Sequence, residues 1–155
     1  PLAGLDEVRW PLDATVVCGR SPDLLDVATE AAERLRGLVR LRPLGYSREI
    51  PLWMAAADLV AGKPGGLTVS EALAASVPFA VVQPYPLQEE ANATYLLEHG
   101  AGVRIDPLTT FGHKVVRVLG DEERRAAMRA AARRIGRPDA AAAVARSCRA
   151  MLEAA

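Results

Sequence analysis

Short apolar runs alternate with helix-patterned segments along most of this chain, and that alternation constrains the fold more than any single motif. The runs are "ATVVCG" (14–19), "LVRLRPLGY" (38–46), "DLVAG" (58–62), "PFAVVQP" (78–84) and "AGVRI" (101–105). Between them lie "SPDLLDVATEAAERLRG" (21–37), "REIPLWMAAA" (48–57), "LTVSEALAAS" (67–76) and "QEEANATYLLEHG" (88–100). The punctuation suits helices: Ser21 at a capping position with Pro22 at the first helical position, Pro51 in a first turn, and Gly37 and Gly100 past helix ends. From Pro107 onward the pattern is helical, broken at Gly136 and Pro138, with a last helix within 138–155. Strands alternating with helices predict an α/β fold with about five parallel strands, doubly wound, with helices on both faces.

At 155 residues the chain is one domain with room for a core. Hydrophobic residues make up 50% and charged residues 25%, which excludes a disordered chain. Lys+Arg and Asp+Glu balance at 19 each, and aromatics are 5%, so neither a nucleic-acid footprint nor a base-stacking surface is expected. Cys18 and Cys148 lie far apart outside any CxxC context, which does not suit zinc, and Cys18 reads as a buried thiol of a reducing compartment. No apolar stretch is long enough to span a bilayer. The chain does not begin with Met, carries no signal pattern, and is read as a piece of a longer protein.

In such sheets ligands sit beyond the carboxyl ends of the strands, near helix N-termini. Three polar clusters fall on strand-to-helix turns. The first is "AGKPGGLTVSEALAASVP" (61–78), where Gly65 and Gly66 allow close backbone approach and the helix start favours an anion. Its Lys precedes the glycines, the reverse of a P-loop. Thr68 and Glu71 also fit a capping box, and spacing alone leaves cap and ligand contact evenly matched for Glu71. The second is "QPYPLQEEANA" (83–93), whose Gln88, Glu89, Glu90 and Asn92 suit a polyol. Taken alone, its acids are better read as compensating the helix dipole. The third is "PLGYS" (43–47), whose backbone at Tyr46 and Ser47 could pair with a base edge, although an ordinary turn is the better reading of those residues by themselves.

"VVCGRS" and the run from "GYSREIPLW" to "LLEHGAG", with the trailing helices, resemble the C-terminal, donor-binding half of GT-B glycosyltransferases. The resemblance is to monogalactosyl- and monoglucosyl-diacylglycerol synthases and, more distantly, to MurG-type N-acetylglucosaminyltransferases. It covers nearly the whole chain, and its most specific part is "K-x-G-G-L-T-x-S-E-A-L" followed about twenty residues later by "Q-E-E-x-N-A". It implies a Rossmann-like half of a GT-B fold, with residues 1–155 as a UDP-sugar-binding domain, the first strand missing, and the N-terminal acceptor domain absent. "PLAGLDEVRWPL" then reads as the remnant of a helix following that strand.

The roles implied by the resemblance are these. Glu71 holds the ribose hydroxyls, the amides of Gly65, Gly66, Leu67 and Thr68 meet the diphosphate, and Gln88 and Glu89 contact the sugar with Asn92 supporting their loop. The backbone near Tyr46 and Ser47 reads uracil, and Gly19 and Arg20 face the cleft near the phosphates. Ser21 stands where the family often has Asn. The implied reaction is an inverting, metal-independent transfer of a hexose from a UDP-sugar to a lipid, diacylglycerol-like acceptor. The general base is expected in the absent half, so the catalytic residues are not assigned and this piece alone is expected to be inactive. No resident cofactor or metal is expected, and the implied setting is cytoplasmic, peripheral at the inner face of the cell membrane.

Two alternatives remain from the sequence: a stand-alone donor-binding subunit needing a membrane-bound partner, and a UDP-sugar epimerase-like enzyme. His99 and His113 read as structural or surface residues. Arg124, Arg125, Arg129, Arg133, Arg134 and Arg137 could meet anionic lipid heads, but the stronger reading is a solvated helix face, with Asp121, Glu122 and Glu123 at its N-terminus.

Overall fold

A computed structural model describes residue 5, residues 8–35 and residues 37–153. Among the described residues five strands alternate with four helices, and three more helices follow: β1 (Leu12–Gly19), α1 (Pro22–Arg34), β2 (Val39–Gly45), α2 (Ile50–Ala56), β3 (Val60–Gly62), α3 (Gly66–Ala74), β4 (Phe79–Val82), α4 (Gln88–Glu98), β5 (Gly102–Ile105), then α5 (Phe111–Leu119), α6 (Glu122–Ile135) and α7 (Ala140–Glu153). A 3-10 turn, Leu108–Thr110, leads into α5. The expected helix remnant at the start falls partly outside the described residues, and residues 8–11 are not helical.

Every strand pair is parallel, as the alternation requires, but the strands form two sheets rather than one: β1–β2 and β3–β4–β5. The break has a simple topological reading. Among the described residues no strand lies between β1 and β3, the position that the first strand holds in the doubly wound order 3-2-1-4-5-6. β1 accordingly behaves as an open strand: only Cys18 of its eight residues is buried, and Val17 is 51% exposed. Pro43, which has no N–H to donate, is accommodated because β2 is an edge strand.

β4 lies at the centre of the second sheet. Val77, Pro78, Phe79, Ala80 and Val81 are fully buried, the continuous apolar run of a strand covered on both faces. Alternation along β4 divides the core. Phe79 and Val81 pack with Met54, Val69, Leu73, Leu96 and the alanines of α6, while Ala80 faces Val8, Val39, Ile105, Phe111 and Val115.

The arginines of α6 and of the turn after it form the expected solvated face in part: Arg133, Arg134 and Arg137 are exposed, but several guanidinium groups also reach carbonyls. Arg125 donates to the carbonyl of Leu119 at the end of α5, Arg129 to Ala57 beyond α2 (3.0 Å), and Arg134 to His99 beyond α4 (3.2 Å). Arg137 donates to the Gly136 carbonyl at 3.2 Å. One helix thus supplies cations to the C-terminal ends of three others, where orphan carbonyls and the negative end of the dipole need them. Asp121 caps α6 itself, accepting from the Arg124 amide at 2.9 Å.

α6 ends against α3. A Cβ placed on Gly136 would lie 2.9 Å from the Leu73 carbonyl carbon and 3.1 Å from the Ala132 oxygen, so only glycine fits there. Gly136→Ala is expected to lower unfolding free energy by about 2–4 kcal/mol in urea titration, because backbone must shift to admit the methyl. A loss below about 0.5 kcal/mol would contradict the close packing of α6 on α3.

Candidate functional site

The strand-to-helix turns differ in how their helix starts are satisfied. At α1, the Ser21 hydroxyl accepts from the Leu24 amide at 3.3 Å, so that N-terminus is closed by its own side chain. At α3 the N-cap is Gly65, with φ −63° and ψ 147°, and no side chain caps the helix. Gly66, Leu67 and Thr68 occupy the first three helical positions, and among the described residues their amides have no hydrogen-bond acceptor.

Two expectations are corrected here. The helix begins one residue earlier than its pattern indicated, so Thr68 is inside the first turn and cannot be the N-cap. The Thr68–Glu71 capping box therefore does not form, and exposed Glu71 is released from that role. The Gly65 amide is also not free, since it donates to the Lys63 carbonyl at 2.9 Å. The open donors start at Gly66.

The next turn is built against this one. Asn92 of α4 donates from Nδ2 to the carbonyl of fully buried Pro64 at 2.9 Å, tying the start of α3 to α4. A Cβ on Gly66 would come within 4.0 Å of the Gln88 amide nitrogen. α4 also starts without a side-chain cap. The two acids of its first turn have specific partners, which replaces the reading of them as dipole compensation alone. Glu89 accepts from the Tyr85 amide at 2.7 Å. Glu90 pairs with Arg104 of β5. The hydrogen bond that Arg104 donates to Glu90, above all, holds the guanidinium above its ordinary pKa against the opposing effect of desolvation.

The remaining sequence-predicted residues gather at the carboxyl ends of β1 and β2. Gly19 and Gly45 are register partners, and Gly19 takes φ +59°. The Arg20 guanidinium stands 4.5 Å from the centroid of the Tyr46 ring. The Ser47 hydroxyl is engaged in its own turn, accepting from the Glu49 amide at 3.0 Å. The structure thus brings the predicted residues into two groups: Gly19, Arg20, Tyr46 and Ser47 on one sheet, and Gly65, Gly66, Leu67, Thr68, Glu71, Gln88, Glu89 and Asn92 on the other.

Sequence reasoning left Lys63 without a role and passed over Tyr85, whose ring lies under the Lys63 ammonium at 4.2 Å. The available signal was a Tyr held between Pro84 and Pro86 just ahead of Gln88. The histidines are structural or exposed, as expected: His99 lies against Tyr95 and its carbonyl, and His113 is exposed on α5. Among the described residues no group of three or more His, Cys, Asp or Glu could hold a metal ion. No described helix is long and apolar enough to cross a membrane.

Leu87, the N-cap of α4, sits at φ 69° and ψ −97° and is 87% exposed. That backbone region is strained for any residue with a Cβ. Leu87→Gly is expected to raise unfolding free energy by about 0.5–1 kcal/mol, read as an increase in Tm. A fall in Tm would show that the side chain has a packing role this geometry lacks.

Comparison with known proteins agrees with this architecture. The family described as glycosyltransferase family 28 C-terminal domain matches residues 5–144. A processive diacylglycerol beta-glucosyltransferase of Bacillus mycoides is 34% identical over 130 residues, covering 84% of this chain and 33% of that protein. One from Staphylococcus saprophyticus is 37% identical over 87 residues, covering 56% of this chain and 22% of that protein. The chain therefore spans a third or less of the length of these relatives. Among solved structures, MurG of Acinetobacter baumannii superposes with a TM-score of 0.74 at 22% identity, covering 91% of this chain and 42% of that one. HepE of Anabaena, solved with UDP-glucose, gives 0.67 at 24% identity, covering 85% and 38%. These last two establish a shared Rossmann-like fold, one half of the GT-B architecture.

Proposed function

Because the chain belongs to the glycosyltransferase family 28 C-terminal domain family, we propose that it is the donor-binding half of a glycosyltransferase that moves a hexose from a UDP-sugar to the hydroxyl of a diacylglycerol-like lipid. The observation that carries this reading is the uncapped start of α3, with three unpaired amides, beside Gln88, Glu89 and Asn92 of α4. The names of the curated relatives support the lipid acceptor and the hexose, and the UDP-glucose bound to HepE supports the donor class. Nothing observed favours the stand-alone subunit or the epimerase-like alternative.

In this reading the donor diphosphate lies at the α3 N-terminus, where amides and dipole already point outward. The acceptor oxygen attacks the anomeric carbon from the face opposite the diphosphate, so configuration inverts as the sugar–phosphate bond breaks. Negative charge builds on the leaving diphosphate. The amides of Gly66, Leu67 and Thr68 meet that charge without reorganising, and one well-aimed donor of this kind is worth ~3–4 kcal/mol in a site closed to water. Glu71, with no capping duty, is free to accept from both ribose hydroxyls. The general base and the acceptor contacts belong to chain outside these residues, and metal independence follows if the amides carry the leaving-group charge.

Calorimetry of the domain with UDP, UDP-galactose, UDP-glucose and UDP-GlcNAc tests the proposal. Binding of UDP itself is expected, unchanged by EDTA, and absence of binding to all four at millimolar concentration would contradict it. Glu71→Gln should leave the fold intact and weaken UDP by about tenfold or more, the scale of hydrogen bonds to a charged acceptor. Equal UDP affinity in that variant would remove Glu71 from the ribose.

A further inference from the structure

Lys63 is exposed, lies at the rim of the site just ahead of the open α3 N-terminus, and has no ion-pair partner among the described residues. Its main chain is fixed: its carbonyl accepts from Gly65, and the adjoining Pro64 carbonyl accepts from Asn92. Its ammonium stands over the ring of Tyr85. Tyr85 as a residue is 64% exposed, so it is not held by core packing. The Tyr85 amide in turn donates to Glu89 Oε2. These contacts form a continuous chain from one strand-to-helix turn to the next: Lys63 ammonium, Tyr85 ring, Tyr85 amide, Glu89 carboxylate.

We infer that Lys63 is a positioning residue that orients the Glu89 carboxylate through Tyr85, and so acts on recognition of the donor's sugar rather than of its nucleotide. This rests on the reading that Glu89 faces the sugar. A free carboxylate rotates about its terminal torsion and offers its oxygens in many directions. With Oε2 committed to the Tyr85 amide, Oε1 is left in one direction, suited to accepting from a hexose hydroxyl. The hold on that geometry depends on the loop between Gln83 and Leu87, whose two ends both adopt positive φ, 40° and 69°. Lys63 braces the aromatic ring in the middle of that loop. A cation over an exposed ring contributes modestly, and desolvation by a bound sugar strengthens it.

The test uses the 155-residue chain with Lys63→Met, Lys63→Arg and Tyr85→Leu. In Lys63→Met, hydrogen exchange at the Tyr85 amide, read without ligand, should be about two- to fivefold faster, and Lys63→Arg should restore it because a guanidinium also sits over a ring. The same Met variant should lose about two- to fivefold in affinity for UDP-glucose while its UDP affinity stays the same. Tyr85→Leu should reproduce that split, and combining it with Lys63→Met should add nothing further. Unchanged exchange at Tyr85 in Lys63→Met would overturn the relay. Equal weakening of UDP and UDP-glucose would also overturn it, by making Lys63 a direct phosphate ligand. Failure of the unmodified chain to bind UDP would instead sink the donor reading, and the exchange rates would then decide the role of Lys63 on their own.

Discussion

The fixing of α3 is the constraint on which the rest of this domain depends. The helix is held at both ends by other elements. At its start, buried Pro64 presents its carbonyl to Asn92 of α4. At its end, the Leu73 carbonyl meets Gly136, where no side chain fits. Between these points Val69, Ala72 and Leu73 are buried against β4 and α6. A helix so held can leave its first-turn amides unpaired without fraying, because packing rather than capping sets its position. The open end is therefore a property of the whole core.

α6 extends the same principle. Its arginines meet the C-terminal carbonyls of α2, α4 and α5, so those three helices are closed where their ends are negative. α1 is capped by Ser21 and α6 by Asp121, while α2, α3, α4 and α5 start without a side-chain cap; of these, the turns before α3 and α4 carry the larger group of sequence-predicted residues. They are also the two turns linked by Asn92, Gln88 and the Lys63–Tyr85 contact. Arg125, Arg129 and Arg134 serve this scaffold, while Arg133, Arg134 and Arg137 remain exposed as their sequence pattern suggested.

Much of this was legible from periodicity and punctuation. The "PFAVV" run marked the central strand, and Ser21–Pro22 marked the start of α1. Gly100, at φ 73°, lies just past α4 as its position implied. What escaped was set by tertiary geometry. Thr68-x-x-Glu71 carries the letters of a capping box, but Gly65–Gly66 allowed the helix to begin earlier and moved Thr68 inside it. The acids at 89 and 90 share a helix turn yet face different partners, a loop amide and a strand arginine, which one-dimensional spacing cannot separate. The resemblance implied a missing first strand, but the division into two sheets was not drawn from it; among the described residues no strand lies between β1 and β3.

The central claim is that the open α3 amides receive the diphosphate of a nucleotide donor. Amide chemical shifts followed during titration with UDP test it most directly. The account predicts that the largest changes fall on Gly66, Leu67 and Thr68, while the Leu24 amide, already bonded to Ser21, stays still. Saturable UDP binding that leaves those three amides unmoved would contradict it.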